Sequence, residues 1–418
     1  MHLPKDYSHQ LNQLYHPTGQ WPQDSQDIIY VSKILNTTKF TPILLKEWFY
    51  LLKKKGYLII DYYPNHLCDW QKLEEFMWWL WKGKYQIIFH STISQKETKN
   101  NSNSQLNSFI KSIKNKDLSI SNNQITNKQQ CFRFICQKNV STIIRNDSIN
   151  KWSFGIITNG KRPDWVQEII DSIRIQKIPN YEIIICGEYH NRSKSKDIIY
   201  IPFNQRNDKG WITKKKNLII QMAKYQNICL LHDRIFLNKN WFQEVKKWGN
   251  CFDVLTGKTV AIDGKQNLEH ICFKGLSKLT IDQLNHFKYF PCGNLDYRDW
   301  DKDLFSYSAN FMIKKYILIN NPYNETLYHK DFEDLFISQE NNQKGFIIRM
   351  CPQIIHFMKT QTVPFHLTYF EYNDQKLGKL KNLNLLIIIG FYLFRLFGFK
   401  RNNPTIRKVT KFLSKFIK

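Results

Sequence analysis

The sequence predicts an α/β protein: a parallel sheet with helices on both faces, preceded by a smaller α/β region and followed by a basic, amphipathic C-terminal helix. Three observations lead there. From Trp152 onward, apolar runs of strand length alternate with segments whose apolar residues recur at helical spacing, the pattern of a parallel sheet crossed by helices. The run Ile228–Leu231 stops abruptly on His232, Asp233 and Arg234, as a buried strand does when its carboxyl end delivers polar groups to a crevice. With 418 residues and 42% hydrophobic content, the chain can fill the cores of two or three domains.

Residues 1–26 are polar and carry Pro4, Pro17, Gly19 and Pro22, which predicts an irregular arm. From Asp27, DIIYVSKIL is a strand running into an apolar segment. ILLKEWFYLLKKK then places Ile43, Leu44, Trp48, Leu51 and Leu52 on one helical face, with Gly56 as the stop and Tyr57–Ile60 as the next strand. Residues 94–130 are rich in Ser, Asn, Gln and Lys with few large apolar side chains. They bury too little surface to offset their ordering entropy and form a polar insertion within a region spanning 27–138; residues 139–151 are a linker.

The succession DIIYVSKIL, LLKEWFYLLKKKGYLII and FRFICQK resembles the second half of class I S-adenosylmethionine methyltransferases, over about residues 27–138. The Gly-rich turn that would cradle the cofactor, and the acid after the next strand, would have to precede Asp27, where there is no room for them. The expectation is a methyltransferase-like remnant that serves structure or partner binding without the cofactor.

At Trp152 the regular alternation begins. WSFGIIT is a strand ending on Thr158, Asn159 and Gly160. The next helix carries Trp165, Val166, Ile169, Ile170 and Ile173 on one face, with Pro163 suited to its first turn. YEIIIC and DIIYI are strands, and a helix beginning at Lys216 runs through Leu218, Ile219, Met222 and Ala223 into ICLL. Gly160 and Gly187 are turn glycines. Further on, SYSANFMIKKYIL is helix-like, and GFIIRMCPQIIHFMK is a strand followed by His356.

This order of elements resembles the GT-A fold of family 2 glycosyltransferases over about residues 152–358. Its anchors are Thr158-Asn159, the helix closing on Asp171-Ser172-Ile173 with Gln176, the strand Glu182–Cys186, Gly210, Lys216-Asn217, and the strand Ile228–Leu231. The resemblance implies that Thr158, Asn159 and Glu188 lie near the base and ribose of a nucleotide sugar. Lys216 and Asn217 would lie closer to the sugar-nucleotide, where a Lys can pair with phosphates. His232-Asp233-Arg234 falls where the family carries its DxD metal motif, with His in place of the first acid and Arg in place of the last. Two readings stand. His232 and Asp233 hold Mn²⁺ or Mg²⁺ with His356 as third ligand, or Arg234 replaces part of the metal as a phosphate clamp.

The segment Asn321–Ser338 resembles the family's acceptor side, where a Glu-Asp pair opens a helix beneath the acceptor. Asp334 would be the general base and Glu333 would hold the acceptor or second the base, while Asp331 is the rival base. Trp300, Asp301 and Asp303 are placed along the acceptor groove.

The formal charge of +26 favours anionic partners, although biased composition in Asn, Ile and Lys produces such a surplus without one. Nine scattered cysteines without a Cys-x-x-Cys pair read as buried thiols in a reducing compartment, and the N-terminus shows no secretory signal, so a cytosolic location is expected. Residues 359–418 form an extension in which the apolar run Leu385–Phe394 is followed by Arg and Lys without acids. That pattern is too short to span a bilayer and fits an in-plane helix on the inner, anionic face of a membrane. The expected function is sugar transfer, inverting, from a nucleoside diphosphate donor to a glycan or lipid-linked acceptor in polysaccharide or glycoconjugate synthesis, with no nucleic acid partner. The alternatives are a methyltransferase or bifunctional enzyme, and an inactive nucleotide-sugar or glycan binding protein.

Overall fold

The computed structural model describes residues 21–38, 41–93, 108, 130–189, 195–204, 210–264, 270–273, 292–294, 300–306, 310–329 and 331–360. Most of the expected arm, the insertion and the basic C-terminal helix lie outside the described residues. No described helix is long and apolar enough to cross a membrane.

The N-terminal unit contains β1 (Gln26–Ser32), α1 (Thr41–Leu51), β2 (Leu52–Tyr62), α2 (Trp70–Trp81), β3 (Tyr85–Ile93) and β4 (Cys131–Lys138). Its sheet runs β1-β2-β4-β3, with β1 and β2 parallel and β4 antiparallel to both its neighbours. The two helices cover one face, packing Trp48, Leu51, Met77 and Trp81 on Ile29, Leu58, Ile60 and Phe134. Asp69 caps α2 by accepting the Lys72 N–H at 2.8 Å. The other face buries Asp61, which takes both Arg133 donors at 2.7 and 2.8 Å and the Tyr30 hydroxyl at 2.8 Å.

The first helix ends before the predicted stop at Gly56. Leu52 already pairs with Gln26 across the sheet, and a bulge separates that pair from Ile28 and Tyr57. The last carbonyls of α1 are satisfied from elsewhere in the chain: the Asp24 and Ser25 N–H groups donate to Tyr50 O and Leu51 O at 2.8 and 2.9 Å, while the buried Lys138 ammonium donates to Phe49 O at 2.7 Å and to Leu52 O at the start of β2. Backbone donors of the preceding segment and a lysine nearly ninety residues away thus do the capping that the sequence pattern assigns to a glycine.

The second unit contains β5 (Lys151–Ile157), α3 (Pro163–Arg174), β6 (Asn180–Gly187), β7 (Ile198–Pro202), α4 (Ile212–Met222), β8 (Asn227–His232), β9 (Ile235–Leu237), α5 (Trp241–Trp248) and β10 (Val254–Ala261). A small antiparallel sheet of β11 (Ile271–Phe273), β12 (Cys292–Asn294) and β13 (Leu304–Phe305) follows, then β14 (Asn310–Lys314), α6 (Lys315–Asn320), α7 (Glu333–Gln343) and β15 (Ile348–Met358). The main sheet has eight strands in the order β7-β6-β5-β8-β14-β10-β15-β9. Strands β5 to β8 are parallel and lie in the spatial order third, second, first, fourth. The order reverses between β5 and β8, which opens a crevice at their carboxyl ends.

Helices cover both faces, as the alternation predicts. On one, α3 and α5 pack Val166, Ile170, Trp241 and Val245 on Phe154, Ile156, Cys229 and Leu231. On the other, Ile219 and Ile220 of α4 and Ile317 of α6 meet Ile184, Ile228, Leu230 and Phe311. The helix-like stretch before Lys315 corrects to a strand. Residues 310–314 form β14, antiparallel between β8 and β10 and buried throughout. A strand covered on both faces shows no polar alternation, so Met, Ile and Lys there read equally well as helix.

Residues 139–151 are held on both sides rather than spanning open space. Thr142 donates to Asp24 at 2.5 Å, and Asp147 accepts from the buried Lys314 ammonium at 2.6 Å. The two units also share buried charge. Asp253 accepts from Tyr50, from Tyr316 at 3.2 Å and from the Ile347 N–H at 3.0 Å, and pairs with Lys46 at 3.0 Å; Glu47 pairs with Arg349 at 2.8 Å. Finally, α2 grips the end of α7. The Trp79 indole donates to Asn342 O at 2.8 Å, and the Trp79 carbonyl lies so close to Gly345 (φ 76°) that a Cβ there would sit 2.2 Å from it.

Candidate functional site

The site forms at the carboxyl ends of β5 and β8. Thr158, the residue after β5, donates its hydroxyl to Asp233 Oδ2 at 3.0 Å, and Arg162 donates to Asp233 Oδ1 at 3.1 Å. Pro163 at the first turn of α3 holds Arg162 at the helix entry, facing the strand ends. Gly187 closes β6 with φ 142°, and a Cβ there would sit 2.0 Å from Thr158 O. That carbonyl is in turn bound by the buried Lys215 ammonium at 2.7 Å. Burial holds the Lys215 pKa below its ordinary value, opposed by Cys186, Asp233 and Glu188. Asn159 and Glu188 are exposed beside these strand ends, with Asn159 accepting the Lys161 N–H at 3.2 Å.

On the opposite face of the sheet, His232 completes β8. Alternation puts its ring on the side of Ile228 and Leu230, under α4. Its Nε2 is shut from solvent and meets no hydrogen-bond partner. Burial, and then Lys216, Arg234, His329 and Lys215, hold the imidazole neutral by driving its pKa well below the usual value. Arg234 is fixed at both ends of its backbone: its N–H reaches His232 O at 2.7 Å and its carbonyl accepts the Lys359 N–H at 3.1 Å.

Lys216 joins this crevice to the acid pair. Its ammonium is buried, 3.2 Å from Glu333 Oε1 and 4.8 Å from the centre of the Tyr323 ring. Glu333 and Asp334 open α7, as predicted. Phe332, just before them, has φ 58° and is 42% exposed, a conformation costly for a bulky residue. Burial first, and then the Glu333 charge, raise the Asp334 pKa to about 7 against the opposing pull of Lys216. Asp334 as a residue is intermediate in exposure, still open to solvent in part.

The remaining expected residues shape the surroundings. Asn217 bonds Tyr323 O, the Tyr323 N–H and Glu325 Oε1 at 2.9–3.0 Å, which clips the loop after α6 onto α4. Asp331 accepts the Tyr328 N–H at 2.8 Å and closes the turn before α7. Trp300 packs on Trp79 with ring centres 4.9 Å apart and planes tilted by 44°, and Asp301 accepts the Asp303 N–H at 2.9 Å. Their segment meets α7 through Asn342, which bonds Leu304 O at 2.6 Å. That is eight residues, or about 12 Å along the helix, from Asp334.

A divalent ion needs several donors converging at about 2 Å. Among the described residues, no group of three His, Cys, Asp or Glu side chains does so. Both Asp233 oxygens already accept protein hydrogen bonds. His356 lies inside β15 rather than after it, and its Nε2 accepts the Trp241 indole N–H at 3.1 Å on the α5 face, opposite to His232. Burial lowers its pKa to about 3. Asp233, His232 and His356 therefore do not compose the three-ligand set that the family resemblance implied.

Lys215, Arg162 and His329 were not singled out from sequence. Lys215 and Lys216 stand four residues before the buried Ile219 and Ile220, so the helical period carried a signal for their burial. It was obscured by starting the helix at Lys216, four residues late.

No protein-family profile matches the chain, and no curated protein does. Among solved structures, it is similar to S. aureus TarS 1–349, at 12% identity and a TM-score of 0.34 over 50% of this chain and 60% of that one. It is similar to the same fragment in complex with UDP-GlcNAc at 13% and 0.35, covering 51% of this chain and 59% of that one. GalNAc-T7 with UDP, GalNAc and Mn²⁺ aligns at 13% and 0.36, over 54% of this chain and 48% of that one. The chain thus spans about half to three-fifths of the length of these structures.

Proposed function

We propose that this protein is a glycosyltransferase that moves a sugar from a nucleoside diphosphate donor to a hydroxyl of a glycan or lipid-linked acceptor, with inversion. The supporting observation is the juxtaposition of two unlike halves. A cationic crevice at the strand reversal is joined through buried Lys216 to Glu333, whose neighbour Asp334 has a pKa, about 7, that suits a general base.

The donor diphosphate sits at the carboxyl ends of β5 and β8, with its sugar toward α7. Ionised Asp334 takes the proton from the acceptor hydroxyl. The hydroxyl oxygen forms a bond to the anomeric carbon as the bond from that carbon to the diphosphate oxygen breaks, and the electron pair leaves with the nucleoside diphosphate. Lys216 pairs with Glu333 beside the base, and the crevice cations meet the charge that develops on the leaving group. Attack from the side opposite the leaving group inverts the centre. The carboxylate stays unmodified throughout, as a base rather than a nucleophile.

The test is a panel of nucleotide sugars and acceptors, scored by nucleoside diphosphate release and product mass. D334N should lose at least about a hundredfold in transfer rate while keeping donor affinity by calorimetry. Full transfer by this variant overturns the assignment.

A further inference from the structure

We infer that the donor diphosphate is held by the chain's own cations, with Arg234 as the principal clamp and Lys215, Arg162 and His329 around it, so that donor binding needs no divalent metal. The inference rests on the proposed sugar-transfer function and deepens it. Its starting point is the poor fit between the donor atoms present and a metal ion.

Charge is the first argument. An acid at each of positions 232 and 234 would carry two negative charges and call for a cation. This chain has a His and an Arg there, so that even with the His counted as neutral the difference is three charges in the positive direction. A divalent ion supplies two. The sequence thus brings to the crevice at least the charge that an ion would bring, and brings it covalently.

Geometry is the second. Asp233, the acid between them, is committed on both oxygens to Thr158 and Arg162, at 3.0 and 3.1 Å. In that state it orients Arg162 at the entry to α3. The Arg234 backbone is pinned at its N–H and its carbonyl, and the His329 N–H is bonded to Gly210 O at 2.8 Å. The Arg234 and His329 side chains therefore leave pinned backbones, and a guanidinium carried on a fixed backbone suits recognition of phosphate oxygens.

The third is the His232 ring. Its Nε2 is shielded and lacks a partner, a cost that a phosphate oxygen or an ordered water brought with the ligand relieves. A metal ion at that nitrogen would lie among Lys216, Arg234 and Lys215, and their repulsion opposes it.

The test uses the full chain and a panel of UDP, GDP, ADP, CDP and dTDP, each paired with its nucleoside. Thermal shift and calorimetry are run in EDTA and again in MnCl₂. At least one nucleoside diphosphate should bind in EDTA with a Kd within about threefold of that in Mn²⁺, and its affinity should fall steeply with salt while the nucleoside's does not. R234Q should weaken that diphosphate at least tenfold and leave the nucleoside affinity unchanged. Binding that appears only with Mn²⁺ overturns the inference and leaves the proposed function standing. Binding of no diphosphate in either buffer overturns both. The comparison of EDTA with Mn²⁺ on the unaltered protein decides the matter even where R234Q fails to fold.

Discussion

Replacing Asp334 by Asn should trade activity for stability, with a pH dependence fixed by the site. Burial and the Glu333 charge lift the Asp334 pKa from an ordinary 3.8 to about 7. Each tenfold change in proton affinity corresponds to ~1.4 kcal/mol, so the ionised carboxyl costs the fold on the order of a few kcal/mol at neutral pH. Below about pH 4 the group is neutral in both folded and unfolded chains and contributes nothing. As pH rises from there toward 7, the unfolded chain releases its proton while the folded chain keeps it, and stability falls. Above 7 the loss levels off. Asn removes the titration. D334N should therefore melt at higher temperature than the parent at pH 8, with the gap shrinking steadily toward pH 5. Transfer by the parent should rise as pH passes about 7, where the base ionises. Thermal melts and transfer rates over a common pH series give both curves. A variant less stable than the parent at every pH, or a gap that does not change between pH 5 and 8, would show that Asp334 is not held under strain by its surroundings.

Other perturbations act at separate points. Gly187→Ala places a methyl group 2.0 Å from Thr158 O at φ 142°, and should cost roughly 2–3 kcal/mol or more in urea unfolding; unchanged stability would mean that β5 and β6 part easily. Lys314→Met strands buried Asp147 without its cation, and a loss of about 3–5 kcal/mol is expected by chemical denaturation. Phe332→Gly relieves an exposed aromatic at φ 58° and should stabilise the fold by about 0.5–1 kcal/mol, whereas a clear loss would show that the ring is packed.

The parts of this fold legible in the sequence were those that one period announces. The buried strands β5, β6 and β8, and the amphipathic α3 with Pro163 at its start, follow from local pattern alone. The Glu333-Asp334 helix start was legible only through the family resemblance, because α7 is buried on most sides and carries no amphipathic period. What escaped depends on contacts between distant residues. The end of α1 is set by Asp24, Ser25 and Lys138, which no local rule relates to residues 49–52. The strand β14 was hidden because burial on both faces erases its alternation. His356 and His232 looked like partners because each lies near a strand end. The pleat sends them to opposite faces, and only the strand order and register reveal that. Lys215 and Lys216 differ by one position and serve different ends of the site, Thr158 O and Glu333, a division made by the helix's rotation against the sheet.

The grip of α2 on the end of α7 makes the N-terminal unit a lever on the chemistry. Helix α7 is about 16 Å long, with Trp79 and Gly345 at one end and Asp334 at the other. A tilt of about 10° at the gripped end would sweep the base through roughly 3 Å at the far end, and displacements of about 1 Å already cost on the order of a hundredfold in rate. A unit with no assigned chemistry of its own thus sets the aim of the proposed catalytic carboxyl, and removing it would leave the residues of the proposed site in the chain but no longer held in their present alignment.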